Sequence, residues 1–434
     1  MQGLTRGTAA IILLGIGLGS LASACGPRSG PAPSPTTTTS SRPPAVPTWH
    51  LQDLAALRHV QQNYTAATLG GQLHVFATGA DNSSLWHAWW NGTWQSEPLD
   101  GLGAVRSGSD SSEGVNGGVT AITIGTTLHV FYYQHDAGRM RHAWLQAGTW
   151  RFEDLDGPGV LGGNGRTENR LSAHTDPGVI VIDGAPHVFY IEYDTATLRH
   201  GWFDGSAWSF ENFEGPSVSP TNGRTQDPVL WWHLGVGFAG GSAQVIFGLA
   251  TDEPRLRRAW RDGNGTWQFE DFDGPGAAGG NGRTGDDTVH GEISIVDVSG
   301  TAHVFYQAQP LDRDVRRLRH AWYDGTTWNF EDIDGWGAPP GTGREDYDAG
   351  THSVALLWRG QLHVFYTQSG VKHAWLDADG WHYNIIDGPR SAYPNAAPAG
   401  GNLTGVIFQD RPQLFYPRPY DGTEGKYDRW AWYG

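Results

Sequence analysis

The chain has 434 residues, a net charge of −16 (45 acids against 29 Lys and Arg) and a single cysteine. An acidic chain is a poor partner for nucleic acid or anionic lipid, and one thiol excludes an intrachain disulfide or a cysteine-based metal site. Its 62 glycines and 21 tryptophans, with only 17% charged residues, suit many short strands joined by tight turns.

In chain order, Met1–Arg6 is a short segment carrying Arg6, and Ala9–Leu21 is apolar but too short to cross a bilayer comfortably. Leu21-Ala22-Ser23-Ala24-Cys25 then resembles a bacterial lipobox, with Ala22 where the motif usually has leucine. The resemblance implies a signal peptide over 1–24 and lipidation of Cys25, with the protein exported and held at the outer face of the bacterial cell membrane. An ordinary signal peptide cut nearby, giving a secreted protein, is the alternative. Residues 25–48 are rich in Pro, Ser and Thr, bury too little to fold, and read as a disordered tether.

From Trp49 to Gly434 one unit repeats. Pro186-His-Val-Phe-Tyr190, Leu198-Arg-His-Gly-Trp202 and Trp208-Ser-Phe-Glu-Asn-Phe213 recur as His129–Tyr132, Arg141–Trp144 and Trp150–Leu155, and as His303–Tyr306, Leu318–Trp322 and Trp328–Ile333. Aligned on Val75, Val130, Val188, Val245, Val304, Val364 and Leu414, the spacings are 55, 58, 57, 59, 60 and 50 residues. A further strand-like run precedes each set, as at Val179–Ile182, Ile293–Val296 and Ser353–Trp358. Four antiparallel strands per repeat predict an all-β, seven-bladed β-propeller. The last repeat stops at its third strand, Arg429–Tyr433, and the missing fourth matches Trp49-His-Leu-Gln-Asp-Leu54. An N-terminal strand is therefore expected to complete the last blade and close the ring.

With strands lettered A to D from the axis outward, the A–B and C–D links are short hairpins such as Asp183-Gly184 and Asp204-Gly205. The B–C and D–A links on the opposite face are longer and more polar, which is where binding is expected. The D–A links carry Arg166, Arg224 and Arg283 in repeated Asn-Gly-Arg-Thr tails, and Arg344 in a variant. Strand B ends toward that face in Tyr132, Tyr190, Tyr306 or Tyr366. Strand C starts there with Arg141-His142, Arg199-His200, Arg319-His320 or Lys372-His373, and strand D ends there in Asp156, Glu214, Asp273, Asp334 or Asp387. Aromatic faces, arginine donors and carboxylates suit a neutral, hydroxyl-rich ligand. Residues repeated in every blade equally suit the blade itself. The His and Asp can form a buried network, and each loop Arg can pair with the acid that follows it. The Trp94, Trp150, Trp208, Trp267, Trp328 and Trp381 series is read as packing between blades. No GxSxG, HExxH or metal-ligand spacing occurs, so no enzyme, metal or cofactor is expected.

The strings His-Val-Phe-Tyr, Leu-Arg-His-Ala-Trp and Gly-x-Trp-x-Phe-Glu-Asp-Leu-Asp-Gly resemble the fucose-specific lectin superfamily of β-propellers, nearer its seven-bladed bacterial Photorhabdus type than its six-bladed fungal type. The resemblance spans about residues 49–434. It implies a multivalent lectin for glycans, fucosylated or methylated sugars among them, bound between neighbouring blades. It carries ligand contacts onto Tyr132, Tyr190, Tyr306, Tyr366, Arg141, Arg199 and Arg319. Blade 4 departs with Arg257-Arg258 for Arg-His, and blade 1 with Ala77 for Tyr. A non-catalytic scaffold for a protein partner is the alternative function.

Overall fold

Seven sheets of four antiparallel strands make up the protein in a computed structural model. The structure describes residues 48–54, 63–78, 83–252, 254–285, 287–312, 315–338, 349–350, 352–367, 370–388, 402–417 and 428–434. The lipobox, Cys25 and Arg344 lie outside them.

Strand β1 (Trp49–Leu54) precedes blade 1, formed by β2–β5 (Asn63–Leu69, Gln72–Thr78, Ser84–Trp90, Trp94–Gly101). Blade 2 is β6–β9 (Val115–Ile124, Thr127–Gln134, Arg139–Gln146, Thr149–Asp156). Blade 3 is β10–β13 (Gly178–Ile182, Ala185–Glu192, Thr197–Phe203, Trp208–Glu214). Blade 4 is β14–β17 (Val229–Ala239, Ser242–Leu249, Leu256–Arg261, Trp267–Asp273), and blade 5 is β18–β21 (Asp287–Val298, Thr301–Pro310, Arg317–Tyr323, Trp328–Gly335). Blade 6 is β22–β25 (Ser353–Trp358, Gln361–Thr367, Val371–Asp377, Gly380–Asp387). Blade 7 joins β26–β28 (Thr404–Phe408, Arg411–Pro417, Asp428–Tyr433) to β1.

The expected closure is present. Trp49 faces Tyr433 and Leu54 faces Asp428 across an antiparallel ladder. Beyond it, Thr48 and Gly434 exchange backbone hydrogen bonds of 3.1 and 3.0 Å. The seventh blade thus gains the outer strand its own segment lacks, and β28 is not left as an open edge.

Strand B is buried on both faces because it lies between two neighbouring sheets. Val75, Val130, Val188, Val245, Val304, Val364 and Leu414 all fall in the core. The tryptophan that opens strand D packs edge-on against the preceding blade. Trp150 meets Phe76 at 5.9 Å between ring centroids, Trp208 meets Phe131 at 6.0 Å, and Trp381 meets Phe305 at 6.1 Å. Trp49 does the same for blade 6, at 5.5 Å from Phe365. These contacts carry out the inter-blade packing expected of the Trp series.

The hairpins are tight turns, with Asp183 and Gly184 both at positive φ (53° and 82°), as a two-residue hairpin requires. Gly165 serves a different purpose. A Cβ there would stand 2.1 Å from the carbonyl oxygen of Phe210, so only glycine lets this long loop lie directly on strand D of blade 3.

Candidate functional site

The predicted rim residues meet, but in sealed seams. Tyr132, Tyr190, Tyr306 and Tyr366 are fully buried. Each phenol donates to the carboxylate that ends strand D of the preceding blade: Tyr132 to Asp100 (2.5 Å), Tyr190 to Asp156, Tyr306 to Asp273 (2.6 Å) and Tyr366 to Asp334 (2.5 Å). Burial, reinforced by the adjacent carboxylate, pushes Tyr132, Tyr190 and Tyr306 well above the ordinary phenol range. The ring faces are closed to solvent and each phenol is already bonded, so in this structure these four side chains fasten neighbouring blades.

The strand C arginines complete the same joints. Arg141 Nη1 donates to Asp100 at 2.7 Å, and Arg319 lies 3.2 Å from Asp273 while donating to Asp332 at 2.7 Å and to the Gly282 carbonyl at 2.6 Å. Arg199 reaches Asp156 (3.1 Å), Asn212 (2.6 Å) and the Gly165 carbonyl (2.5 Å). Each ties two blades and the loop between them. Blade 4 lacks the tyrosine, having Phe247 opposite Arg257. Oε2 of Glu214, the acid at that seam, is buried without a hydrogen-bond partner.

Among the described residues, Arg166 and Arg224 form no ion pair with the acids that follow them, Glu168 and Asp227. Arg166, Arg224 and Arg283 lie over Phe210, Phe269 and Phe330 of the next blade, at 5.0, 5.1 and 4.9 Å from the ring centroids. Arg166 also donates to the Leu155 carbonyl at 2.9 Å.

The histidines form the buried network. His129 bonds His142 at 2.9 Å, and His142 bonds Glu153 at 2.8 Å. The chain His187–His200–Glu211 repeats this at 2.8 and 3.0 Å, and His303–His320–Glu331 at 2.8 and 2.9 Å. Burial lowers His129, His187 and His303 to about 4, so they are neutral at pH 7. The next blade's tryptophan seals two of these networks, with Trp208 donating to Glu153 at 3.0 Å and Trp381 to Glu331 at 2.8 Å.

Among the clefts that open on the described residues, two bear on the site. The first, of about 400 Å³, lies on the long-loop side of blade 3 and joins Arg166 and Arg199 with Thr167, Glu192, Phe210 and Asn212. Most donors of Arg199 are already engaged there. The second, of about 670 Å³, opens between blades 3 and 4 toward the short hairpins. Trp202, Trp267, His187, Glu211, Asp204 and Arg261 line it. Arg261 is fixed at 2.7 Å from Asp183. No hydrogen bond joins Trp267 to Glu211 among the described residues, so the seal seen at Glu153 and Glu331 is missing and this carboxylate faces a cavity. The sequence reading placed binding on the other face and assigned Trp267 to packing alone. The only signal available was the longer hairpin at Asp262–Thr266.

No protein-family model and no curated protein matches the chain. Solved structures match its fold. The polysaccharide lyase Uly1 has a TM-score of 0.53 at 9% identity, over 87% of this chain and 90% of the lyase. A triple-arginine mutant of AofleA from Arthrobotrys oligospora gives 0.44 at 14% identity, over 79% and 91%. The fucose-specific lectin from Aleuria aurantia gives 0.42 at 12% identity, over 78% and 97%. The chain is thus a seven-bladed β-propeller, distantly similar in fold to the polysaccharide lyase.

Proposed function

We propose that this protein is a non-catalytic carbohydrate-binding protein of the fucose-lectin type, displayed outside the cell on the Cys25 anchor. The observation that supports this reading is the open cleft between blades 3 and 4. Two half-buried indoles, a carboxylate, a second acid and an arginine converge on a space fit for a mono- or disaccharide. Indole faces accept sugar C–H surfaces, while Glu211 and Arg261 supply an acceptor and a donor for hydroxyls. Glu211 is held on its other side by His200, so it meets a ligand in a fixed orientation. Sealed seams at blades 2–3 and 5–6 argue for fewer sites than blades, and avidity would then come from clustering on a membrane.

The test is a glycan array of fucosylated, methylated and unmodified sugars probed with the intact protein. Binding should be lost in Trp202→Ala and Glu211→Gln with the melting temperature retained. A blank array, or binding indifferent to both changes, removes the reading. The scaffold reading draws on Leu102, Val105 and Leu161, which are exposed on two long loops. A blank array together with partner capture lost in Leu161→Asp would support it.

A further inference from the structure

A further cavity, of about 750 Å³, lies where the innermost strands of several blades converge. Its wall repeats one register position. Strand A places Thr65, Thr120, Gly178, Ser294, Val354 and Thr404 opposite the phenylalanine of strand B. Two residues earlier in each blade stand Asn63, Gly118, Asp176, Glu292, His352 and Asn402. Five of these six line the cavity, so a position equivalent by symmetry is filled by different polar groups. The seams and histidine networks repeat their chemistry from blade to blade, and this position does not.

The charges here are also unlike those elsewhere. The acids in the seams each have a built-in cation: Arg141 for Asp100, Arg199 for Asp156, Lys372 for Asp334 and Arg429 for Asp387. Asp176 and Glu292 have none. No lysine or arginine stands among the described residues of the cavity wall. Asp176 accepts a hydrogen bond from the Val119 backbone N–H at 2.9 Å. Glu292 lies 3.6 Å from His352 Nε2, and burial lowers His352 to about 4, so this imidazole brings no positive charge at pH 7. Burial raises both Asp176 and Glu292 above the usual carboxylate range, and the charge of Glu292 adds to the shift of Asp176. An independent sign of an unfilled role is Ser353 in the same wall, whose hydroxyl is buried without a hydrogen-bond partner.

We propose that this axial chamber binds an organic cation, an amine whose ammonium group sits between Asp176 and Glu292 while Asn63, Asn116, Asn402 and Ser353 hold its polar remainder. A neutral sugar would leave the two carboxylates uncompensated. A bare metal ion would fill little of the space, and no group of three metal-ligating side chains occurs among the described residues. An ammonium ion supplies the charge and several donors at once. Its arrival displaces a proton from the acid pair, so binding releases protons and weakens in acid. Among the described residues, the other titratable groups facing the chamber are His135, His174 and His352.

Isothermal titration of the intact protein with spermidine and with a glucosamine dimer tests this, in two buffers of different ionisation enthalpy near neutral pH. The expected result is saturable binding of at least one amine with net proton release. Asp176→Asn and Glu292→Gln should each weaken it about tenfold or more, and asparagine already occupies the equivalent position at 63 and 402. Should either variant fail to fold, lowering the pH to about 5 should weaken amine binding to the unaltered protein. Absence of saturable binding, affinity unchanged in both variants, binding that strengthens in acid, or uptake of calcium chloride in place of the amines each overturns the proposal. Trp202→Ala should leave amine binding intact, which separates this site from the lateral cleft.

Discussion

The phenol of Tyr306 on blade 5 lies 2.6 Å from Oδ2 of Asp273 on blade 4, with Arg319 Nε 3.2 Å from the same oxygen. The joint is buried and recurs around the ring, so its members act on stability. Tyr306→Phe should cost about 1–3 kcal/mol, because it leaves a buried carboxylate short of one donor. The reverse change, Phe247→Tyr, should stabilise by up to about 1 kcal/mol by supplying the donor that Glu214 lacks. Urea unfolding measures both. Equal midpoints for Tyr306→Phe and the parent would mean the seam is held by the arginine alone.

Closure by β1 predicts a strong contrast between two deletions. Removing 49–54 strips the seventh blade of its outer strand and leaves Phe365 and His373 without Trp49. Loss of the buried Leu54 alone costs about 2–5 kcal/mol, a large share of the roughly 5–15 kcal/mol of a typical protein, and the partly buried Trp49 goes with it. The truncated protein should unfold or aggregate, whereas deletion of 26–46 should leave the melting temperature unchanged.

Acid should unfold the protein through its histidines. His74, His129, His187, His303, His352 and His363 are each lowered by burial to about 4. A folded value below the unfolded one means the unfolded chain binds more protons. Their contribution is therefore complete above about pH 6.5 and is lost as pH falls toward 4. Asp176, Glu292 and Glu214 are shifted the other way and oppose this, but they are three against six. Stability measured from neutral pH to 4 should fall steeply. His129→Gln should shallow the slope by one proton, since Gln244 and Gln413 fill the equivalent place in blades 4 and 7. A flat profile would show that these imidazoles are protonated in the fold.

Cys25→Ser should release the protein from membranes with an unaltered melting curve, measured by fractionation and calorimetry. Retention of the variant in the membrane fraction would sink the lipid-anchor proposal.

The blades and their closure were legible because every strand carries its own repeated apolar string, and the two terminal fragments complement each other. The candidate site was legible only in part. Tyr190, Arg199 and Asp156 were correctly brought to one place, but alternation along a strand implies one buried and one free face. Strands B and C have neighbours on both sides, so the tyrosine and imidazole that would have faced a ligand face another blade. The lateral cleft was hidden for a different reason: it arises from a contact that Trp267 fails to make with Glu211. The axial chamber was hidden because its acids, Asp176 and Glu292, are 116 residues apart and meet only when the ring closes.

The paired backbone of Thr48 and Gly434 bears on how freely the order of this chain can be rearranged. With residue 48 hydrogen-bonded to residue 434, a short linker could join the two without spanning a gap. The chain could then be cut at an exposed hairpin such as Asp204-Gly205. Such a circular permutant keeps every sheet pairing and moves the site of closure into blade 3. The start of the polypeptide would become a choice of gene order, with the molecule indifferent to where its circle is broken.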